Sequence, residues 1–137
     1  MARPKILDTQ VLINHFGMLY NTKARTPGAF KSHAEELIEV QGTNQIVSPV
    51  LIEFLAGANR ENLECRKAYL EPFSVLDKGN IPARDWEEAK RIAQWVRIGR
   101  ERKLGDCLIE AISIRFNGDI VSSDRDFKQR VPPQKNQ

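Results

Sequence analysis

The sequence has 137 residues, 41% of them hydrophobic and 28% charged, and a formal net charge of +3 at pH 7. This length and composition suit one ordinary globular domain with its own core, and the mild positive charge permits an anionic partner as well as a plain solvated surface. No apolar run approaches the roughly 20 residues of a transmembrane helix and the sequence opens without a signal-peptide pattern, so we expect a cytoplasmic protein with no membrane partner.

The first half of the chain alternates between strand and helix patterns. Asp8 directly follows the first apolar run, and Gly42 suits the end of a helix. Ser48 is predicted as a helix N-cap, with Pro49 at the first helical position. The predicted elements are a strand that begins at residue 5 and ends at Asp8, a helix over 11–20, a loop over 21–28, a helix over 31–41, a strand over 45–47 and a helix over 50–57.

The second half continues the alternation. The longest helix has a stripe at helical spacing that we expect to face the core: Trp86, Ala89, Ile92, Ala93 and Val96. The next helix is apolar on most sides, which predicts a buried helix with Cys107 as a buried thiol. The predicted elements are helices over 61–70, 83–98 and 106–116, strands over 73–76 and 119–122, and a turn over 123–127 into a last short helix.

Strands that alternate with helices predict an α/β fold, in which right-handed crossovers join the strands of a parallel sheet. We expect residues 1–131 to form a single domain and residues 132–137 to form a frayed tail.

Four acids occupy comparable places in this pattern. Asp8 and Asp124 follow strands, Glu53 lies one turn into a helix that follows a strand, and Asp106 opens the buried helix. Strand ends and helix starts share one edge of such a sheet, where ligands bind, so these acids could converge there. Each also has a structural explanation, as a helix cap, as a turn residue or as the partner of a basic side chain.

Carboxylates that lie close together repel one another unless a cation compensates them. Oxygen ligands without His or Cys suit Mg²⁺ or Mn²⁺ and do not suit zinc. Such an ion neutralises phosphate charge and activates a bound water, which predicts hydrolysis of phosphate esters. The two histidines, His15 and His33, lie on helices with no obvious partner, so we interpret them as packing or surface residues.

Four stretches, taken together and in this order, resemble a PIN domain, and more narrowly the small toxin ribonucleases of the VapC type. They are Ile-Leu-Asp-Thr-Gln-Val-Leu-Ile at 6–13, Val-Ser-Pro-Val-Leu-Ile-Glu at 47–53, Gly-Asp-Cys-Leu-Ile-Glu-Ala at 105–111 and Ile-Val-Ser-Ser-Asp-Arg-Asp-Phe at 120–127. The resemblance implies a three-layer α/β/α fold with a short, mainly parallel sheet of four to five strands. It also implies a Mg²⁺- or Mn²⁺-dependent endoribonuclease, a cognate VapB-type antitoxin that blocks the site, and a homodimer or higher complex.

Carried over residue by residue, the resemblance assigns catalysis and metal binding to the same acids. Asp8, Glu53 and Asp106 match the three core acids. Asp124 matches the fourth and more variable acid, with Asp126 as its alternative.

Further residues take supporting roles in this resemblance. Ser122 supplies a hydroxyl that could orient Asp8, and Thr9 occupies a position where small polar residues are common. Glu110 departs from the family pattern and could either join the metal shell or pair with a basic side chain. A basic run could hold an RNA backbone or simply be solvated: Arg97, Arg100, Arg102 and Lys103.

Other functional classes stay open at this stage. One is a non-catalytic PIN-like module that binds RNA or protein, and another is a PIN nuclease of RNA processing. A hydrolase with an Asp nucleophile would be expected to have Asp-x-Asp after its first strand, where this chain has Gln10. The choice of RNA over DNA comes from the resemblance alone.

Overall fold

Four short strands and six helices form the part of the chain that the structure, a computed structural model, describes, namely residues 3–95 and 103–122. The strands are β1 (Lys5–Leu7), β2 (Gln45–Ile46), β3 (Ser74–Val75) and β4 (Asp119–Val121). The helices are α1 (Thr9–Tyr20), α2 (Pro27–Gln41), α3 (Ser48–Ala56), α4 (Leu63–Leu70), α5 (Ala83–Ala93) and α6 (Leu104–Arg115). The turn and short helix that we predict after residue 122 lie outside the described residues.

The four strands form one parallel sheet in the order β3-β2-β1-β4. The chain moves outward from β1 to β3 and then returns to place β4 on the other side of β1. Right-handed crossovers therefore place α1 to α4 on one face of the sheet and α5 with α6 on the other. This confirms the predicted α/β fold. In the described part of the chain, no helix is long and apolar enough to cross a bilayer.

Helix α6 is buried, as its sequence predicts, because it packs against two apolar surfaces. Its Ile109 and Ile112 belong to the main core, which also contains the strands and the inner faces of α1 to α4. A smaller cluster joins α6 to α5 and contains Ala89, Ile92, Cys107, Leu108 and Ala111. The position of α6 in the fold is therefore fixed from both sides.

Helix α2 begins earlier than its sequence pattern predicts. It starts at Pro27, and the Thr26 hydroxyl oxygen accepts a hydrogen bond from the Ala29 backbone N–H at 3.2 Å. The prediction of a loop through residue 28 and a helix from residue 31 was wrong. The Thr-Pro pair is an N-cap followed by a proline at the first helical position, a start signal that outweighs the turn tendency of the glycine after it.

The expectation for α5 was wrong at two of its apolar positions. Trp86 is 48% exposed and Ala93 is exposed as well. Val96 lies outside the described residues. The buried face of α5 instead includes Asp85, which forms a buried ion pair with Arg115 of α6 at 2.9 Å. Periodicity alone could not reveal this pair, because it counts an acid as a surface residue.

Candidate functional site

The sheet reverses its direction of winding between β1 and β4, and ligand sites of parallel sheets lie at such switch points. Asp8 follows β1 and Ser122 follows β4. The Asp8 backbone N–H donates to the Val121 carbonyl oxygen at 3.1 Å, which extends the pairing of the two strands by one step. The Ser122 hydroxyl then donates to Asp8 Oδ2 at 2.6 Å. The two strand ends thus hold one carboxylate in place at this crevice.

Asp8 also caps the first helix. It has extended backbone angles just before α1, and its Oδ1 accepts from the Gln10 backbone N–H at 3.4 Å. Only 4% of the residue is exposed. The structural and the chemical interpretation of Asp8 therefore describe the same side chain, with one oxygen toward the helix and the other toward β4.

Glu53 comes to the same edge from a different segment of the chain. It lies on α3, which follows β2, and its Oε1 accepts a hydrogen bond from the Thr9 hydroxyl at 2.6 Å. Thr9 is the first residue of α1 and the neighbour of Asp8. This hydrogen bond links the segments that carry the first two predicted acids.

Gly105 makes room for the Glu53 carboxylate. A Cβ at position 105 would lie only 2.7 Å from Glu53 Cδ, closer than real Cβ atoms come. Gly105 is the second residue of α6, so the carboxylate lies against the first turn of that helix. The unpaired N–H groups and the dipole at a helix N-terminus favour negative charge there.

Asp106 is the third residue of α6, and its Oδ2 accepts from the backbone N–H of Lys103 at 3.4 Å. The prediction that Asp106 opens the helix was wrong by two residues, since α6 begins at Leu104. Because Asp106 directly follows Gly105, which touches Glu53, the third predicted acid belongs to the same edge of the fold.

The donor set at this edge consists of carboxylate and hydroxyl oxygens, which suits a hard cation such as Mg²⁺ or Mn²⁺ and does not suit zinc. Within residues 3–95 and 103–122, no three His, Cys, Asp or Glu side chains form a group that could hold a metal ion. Asp124 and its alternative Asp126 lie outside the described residues. The acids therefore fit such an ion in their donor chemistry, and they share an edge without forming a three-ligand group.

The predicted basic run falls mostly outside the described residues, as Arg97, Arg100 and Arg102 do. Lys103 is described, is exposed, and directly precedes α6. It therefore offers a positive side chain beside the helix that carries Gly105 and Asp106.

Glu110 lies one turn after Asp106 and is only 4% exposed. The pKa of Arg91 on α5 is raised, mainly by its hydrogen bond to Glu88, and the negative charge of Glu110 contributes in the same direction. Glu110 thus lies within electrostatic reach of a basic side chain, as the structural alternative expects.

The two histidines have partners, contrary to the expectation from sequence. Their rings stack with centroids 3.6 Å apart, His15 Nδ1 lies 2.7 Å from the Tyr69 hydroxyl, and His33 Nε2 lies 2.6 Å from the His15 carbonyl oxygen. Burial, and then the nearby His33, lower the pKa of His15 to about 4. The pair joins α1 to α2 and α4, so the packing role that we predicted for it agrees with these contacts.

Two residues at this edge escaped the sequence analysis. The Gly-Asp pair at 105–106 is part of a recognised motif, but the sequence does not show why residue 105 must be glycine. That reason is the nearby Glu53 carboxylate, which only the position of α3 reveals. Asp77 directly follows the third predicted strand, as Asp8 follows the first, but its sequence pattern alone assigned it no role. It is buried and hydrogen-bonded to Ser48.

Comparison with known proteins adds one positive finding. The family model of the PIN domain matches residues 5–131, which include all four of the motifs described above. A comparison with curated proteins finds no match.

Proposed function

This chain belongs to the PIN domain family, whose members are typically nucleases, and we propose that it is a metal-dependent endoribonuclease that hydrolyses phosphodiesters with a metal-activated water. The observation that carries the proposal is a pair of hydrogen bonds at the switch point of the sheet. Ser122 donates to Asp8 and Thr9 donates to Glu53, both at 2.6 Å. Hydroxyl donors of this kind hold carboxylates in fixed orientations, which a site for a phosphodiester and a cation requires.

We propose that Asp8, Glu53 and Asp106 hold Mg²⁺ or Mn²⁺ together with Asp124 or Asp126. When bound, such an ion neutralises phosphate charge and lowers the pKa of its water.

The chain's own side chains have separate roles in this proposal. Ser122 and Thr9 fix the orientation of two acids. Lys103, which is exposed beside α6, attracts the phosphate backbone of the substrate. We propose the same role for three basic residues that precede Lys103 in the sequence: Arg97, Arg100 and Arg102.

A protein nucleophile has less support. His15 and His33 stack on each other and bond to Tyr69 and to the backbone, between α1, α2 and α4. Neither ring contacts an acid of the proposed site in the described part of the chain. A histidine-activated nucleophile would need such a contact, or a nearby Ser or Cys.

The biological role that we propose is the toxin of a VapBC-type pair in the cytoplasm, with a VapB-type antitoxin and a second copy of the chain as partners. The support for RNA, for the antitoxin and for the dimer is the resemblance of the four motifs to VapC-type toxins. A nuclease of RNA processing would use the same chemistry. Induced expression in bacterial cells distinguishes the two, because a toxin arrests growth and its Asp106→Asn variant does not.

The biochemical test is cleavage of a structured RNA mixture by the purified chain with Mg²⁺ or Mn²⁺ and with a chelator. Asp106→Asn removes one charge from the site and keeps its shape. Glu64→Gln is the matched control, since Glu64 is an exposed acid of α4 that pairs with Lys67. We expect ion-dependent cleavage by the wild type and by the control, and loss of cleavage in Asp106→Asn.

Equal activity of Asp106→Asn and wild type would contradict the proposal and point to a contaminating nuclease. If no form cuts but all bind RNA equally, the non-catalytic binding module is correct. Mass spectrometry of each preparation establishes that no antitoxin has copurified and blocked the site.

A further inference from the structure

A further strand-end acid, Asp77, takes no part in the site described above. It follows β3 and is 4% exposed, and both of its oxygens accept hydrogen bonds from Ser48. The Ser48 backbone N–H donates to Oδ1 at 2.8 Å, and the Ser48 hydroxyl donates to Oδ2 at 2.6 Å. Sequence had suggested that Ser48 itself caps α3, but Ser48 is the first helical residue and its hydroxyl is bonded to Asp77.

The register of the sheet explains why these two residues meet. Ile46 pairs with Val75, and Ser48 and Asp77 each lie two residues further along their own chain segment. After Asp77 the chain turns away through two successive left-handed residues, Lys78 at φ 54° and Gly79 at φ 78°. Such a conformation is uncommon for lysine and costs energy, so the surrounding contacts must maintain this turn.

Helix α3 depends on this contact because it has no local cap. The residue before it is Val47, whose side chain makes no capping bond, and its first turn contains no acid. A carboxylate at a helix N-terminus satisfies unpaired N–H groups and interacts favourably with the helix dipole. Asp77, which follows β3, therefore supplies the N-terminal cap that the sequence of α3 lacks.

The contact has a consequence for Glu53, which lies five residues after Ser48 on the same helix. At 1.5 Å per residue, the two are about 7.5 Å apart along the axis. The Glu53 carboxylate accepts a hydrogen bond from the Thr9 hydroxyl and lies directly against the backbone of Gly105. A methyl group at position 105 would clash with it. A small shift or rotation of α3 would break this fit.

We propose that Asp77 is a positioning residue of the site: by capping α3 from the end of β3, it sets the position of the Glu53 carboxylate. The catalytic consequence rests on the proposed nuclease function. The structural consequence, the placement of Glu53 against Thr9 and Gly105, does not.

The first experiment measures placement without activity. In two-dimensional amide NMR spectra, the Thr9 and Gly105 signals report on Glu53, although neither residue contacts Asp77 in the described structure. We expect Asp77→Asn to shift both signals, and Ser48→Ala, the milder variant, to shift them less. Asp85→Asn is the matched control, because Asp85 is also a buried acid. Its partner is Arg115, which lies about 15 Å from Gly105 along the axis of α6.

The second experiment measures RNA cleavage and Mn²⁺ affinity, well below the unfolding temperature of each variant. We expect Asp77→Asn to lower kcat by roughly 10-fold or more with KM nearly unchanged and to weaken Mn²⁺ binding, because a misplaced carboxylate impairs the reaction more than it impairs substrate binding. Asp85→Asn lowers the unfolding temperature and leaves kcat unchanged.

The outcomes separate the two proposals. A wild type that neither cuts RNA nor binds Mn²⁺ refutes the nuclease, while the NMR shifts still decide the role of Asp77. An active wild type whose Asp77→Asn variant keeps its kcat and its Thr9 and Gly105 signals refutes only the positioning role. If Asp77→Asn does not fold, Ser48→Ala decides by the same readouts.

Discussion

The exchange of Gly105 for alanine tests the geometry of the site with a single methyl group. The new Cβ would lie 2.7 Å from Glu53 Cδ, and ordinary contact begins at 3.4 Å. The carboxyl carbon must therefore retreat by at least 0.7 Å, the difference between these distances, and Oε2, which would lie closer still, must move further. Since Glu53 is a flexible side chain, it can rotate away while α6 keeps its place, and the hydrogen bond from Thr9 is lost.

The effect on stability is small because two contributions oppose each other. Alanine in place of a helical glycine stabilises by about 0.5–1 kcal/mol. Loss of a hydrogen bond to a charged acceptor costs about 1.5–3 kcal/mol, and less when the acceptor reaches water. We expect a net loss of roughly 1–2 kcal/mol, which leaves the chain folded at 25 °C. In contrast, a misplacement near 1 Å can lower the rate by about 100-fold.

Gly28→Ala provides a closely matched control. Gly28 is the second residue of α2, as Gly105 is of α6, and a Cβ there meets nothing within 4 Å. We expect Gly28→Ala to gain up to about 1 kcal/mol in the free energy of unfolding, with unchanged RNA cleavage and Mn²⁺ affinity. The measurements are urea unfolding, cleavage rate and Mn²⁺ titration for both variants and the wild type.

One result would refute this reasoning. If Gly105→Ala keeps the wild-type cleavage rate and Mn²⁺ affinity, then either α6 moves to accept the methyl group or Glu53 takes no part in the chemistry. A crystal structure of that variant distinguishes these explanations, since the first shifts the backbone of residue 105 and the second shifts only Glu53.

Three further predictions concern the site and its support. Ser122→Ala removes the donor to the buried Asp8 carboxylate, and we expect kcat to fall about 10- to 100-fold together with a loss of about 1–3 kcal/mol in urea unfolding; a full rate would show that the hydroxyl is dispensable. Arg115→Met leaves Asp85 as a buried, uncompensated charge, and we expect a loss of about 3–5 kcal/mol in urea unfolding, whereas a loss under 1 kcal/mol would show that water reaches the acid. The folded chain holds the pKa of His15 near 4, below its ordinary 6.5, so the unfolded chain binds more protons between these values and stability falls as the pH drops from 6.5 to 4. This fall becomes shallower in His15→Gln, and parallel pH curves would contradict the assignment.

Sequence predicted most of the scaffold because its signals are local. Strand ends, helix stops such as Gly42, and the buried character of α6 depend on periodicity and turn residues within one segment. The errors arose where a distant residue decides the local outcome. Trp86 is exposed although it lies on an apolar stripe, since Asp85 beside it is buried by Arg115, thirty residues later in the chain.

The candidate site shows the same division. The acids Asp8, Glu53 and Asp106 could be chosen from sequence because parallel strands bring their ends to one edge. Gly105 and Asp77 could not be assigned roles, because their roles depend on how α3 lies against α6 and on the register between β2 and β3. Spacing along one chain segment does not encode either relationship.

The structural and catalytic interpretations of these acids need not compete. Asp8 caps α1 with one oxygen and accepts from Ser122 with the other, so the capping bond helps to fix the orientation that the chemistry would need. Asp77 is as buried as Asp8, since each is 4% exposed, and it differs from Asp8 because Ser48 alone donates to both of its oxygens. The same local position, an acid just after a parallel strand, therefore yields a candidate ligand or a positioning residue. The two acids differ in the donor to their second oxygen, which is Ser122 at the neighbouring strand end for Asp8 and Ser48 again for Asp77.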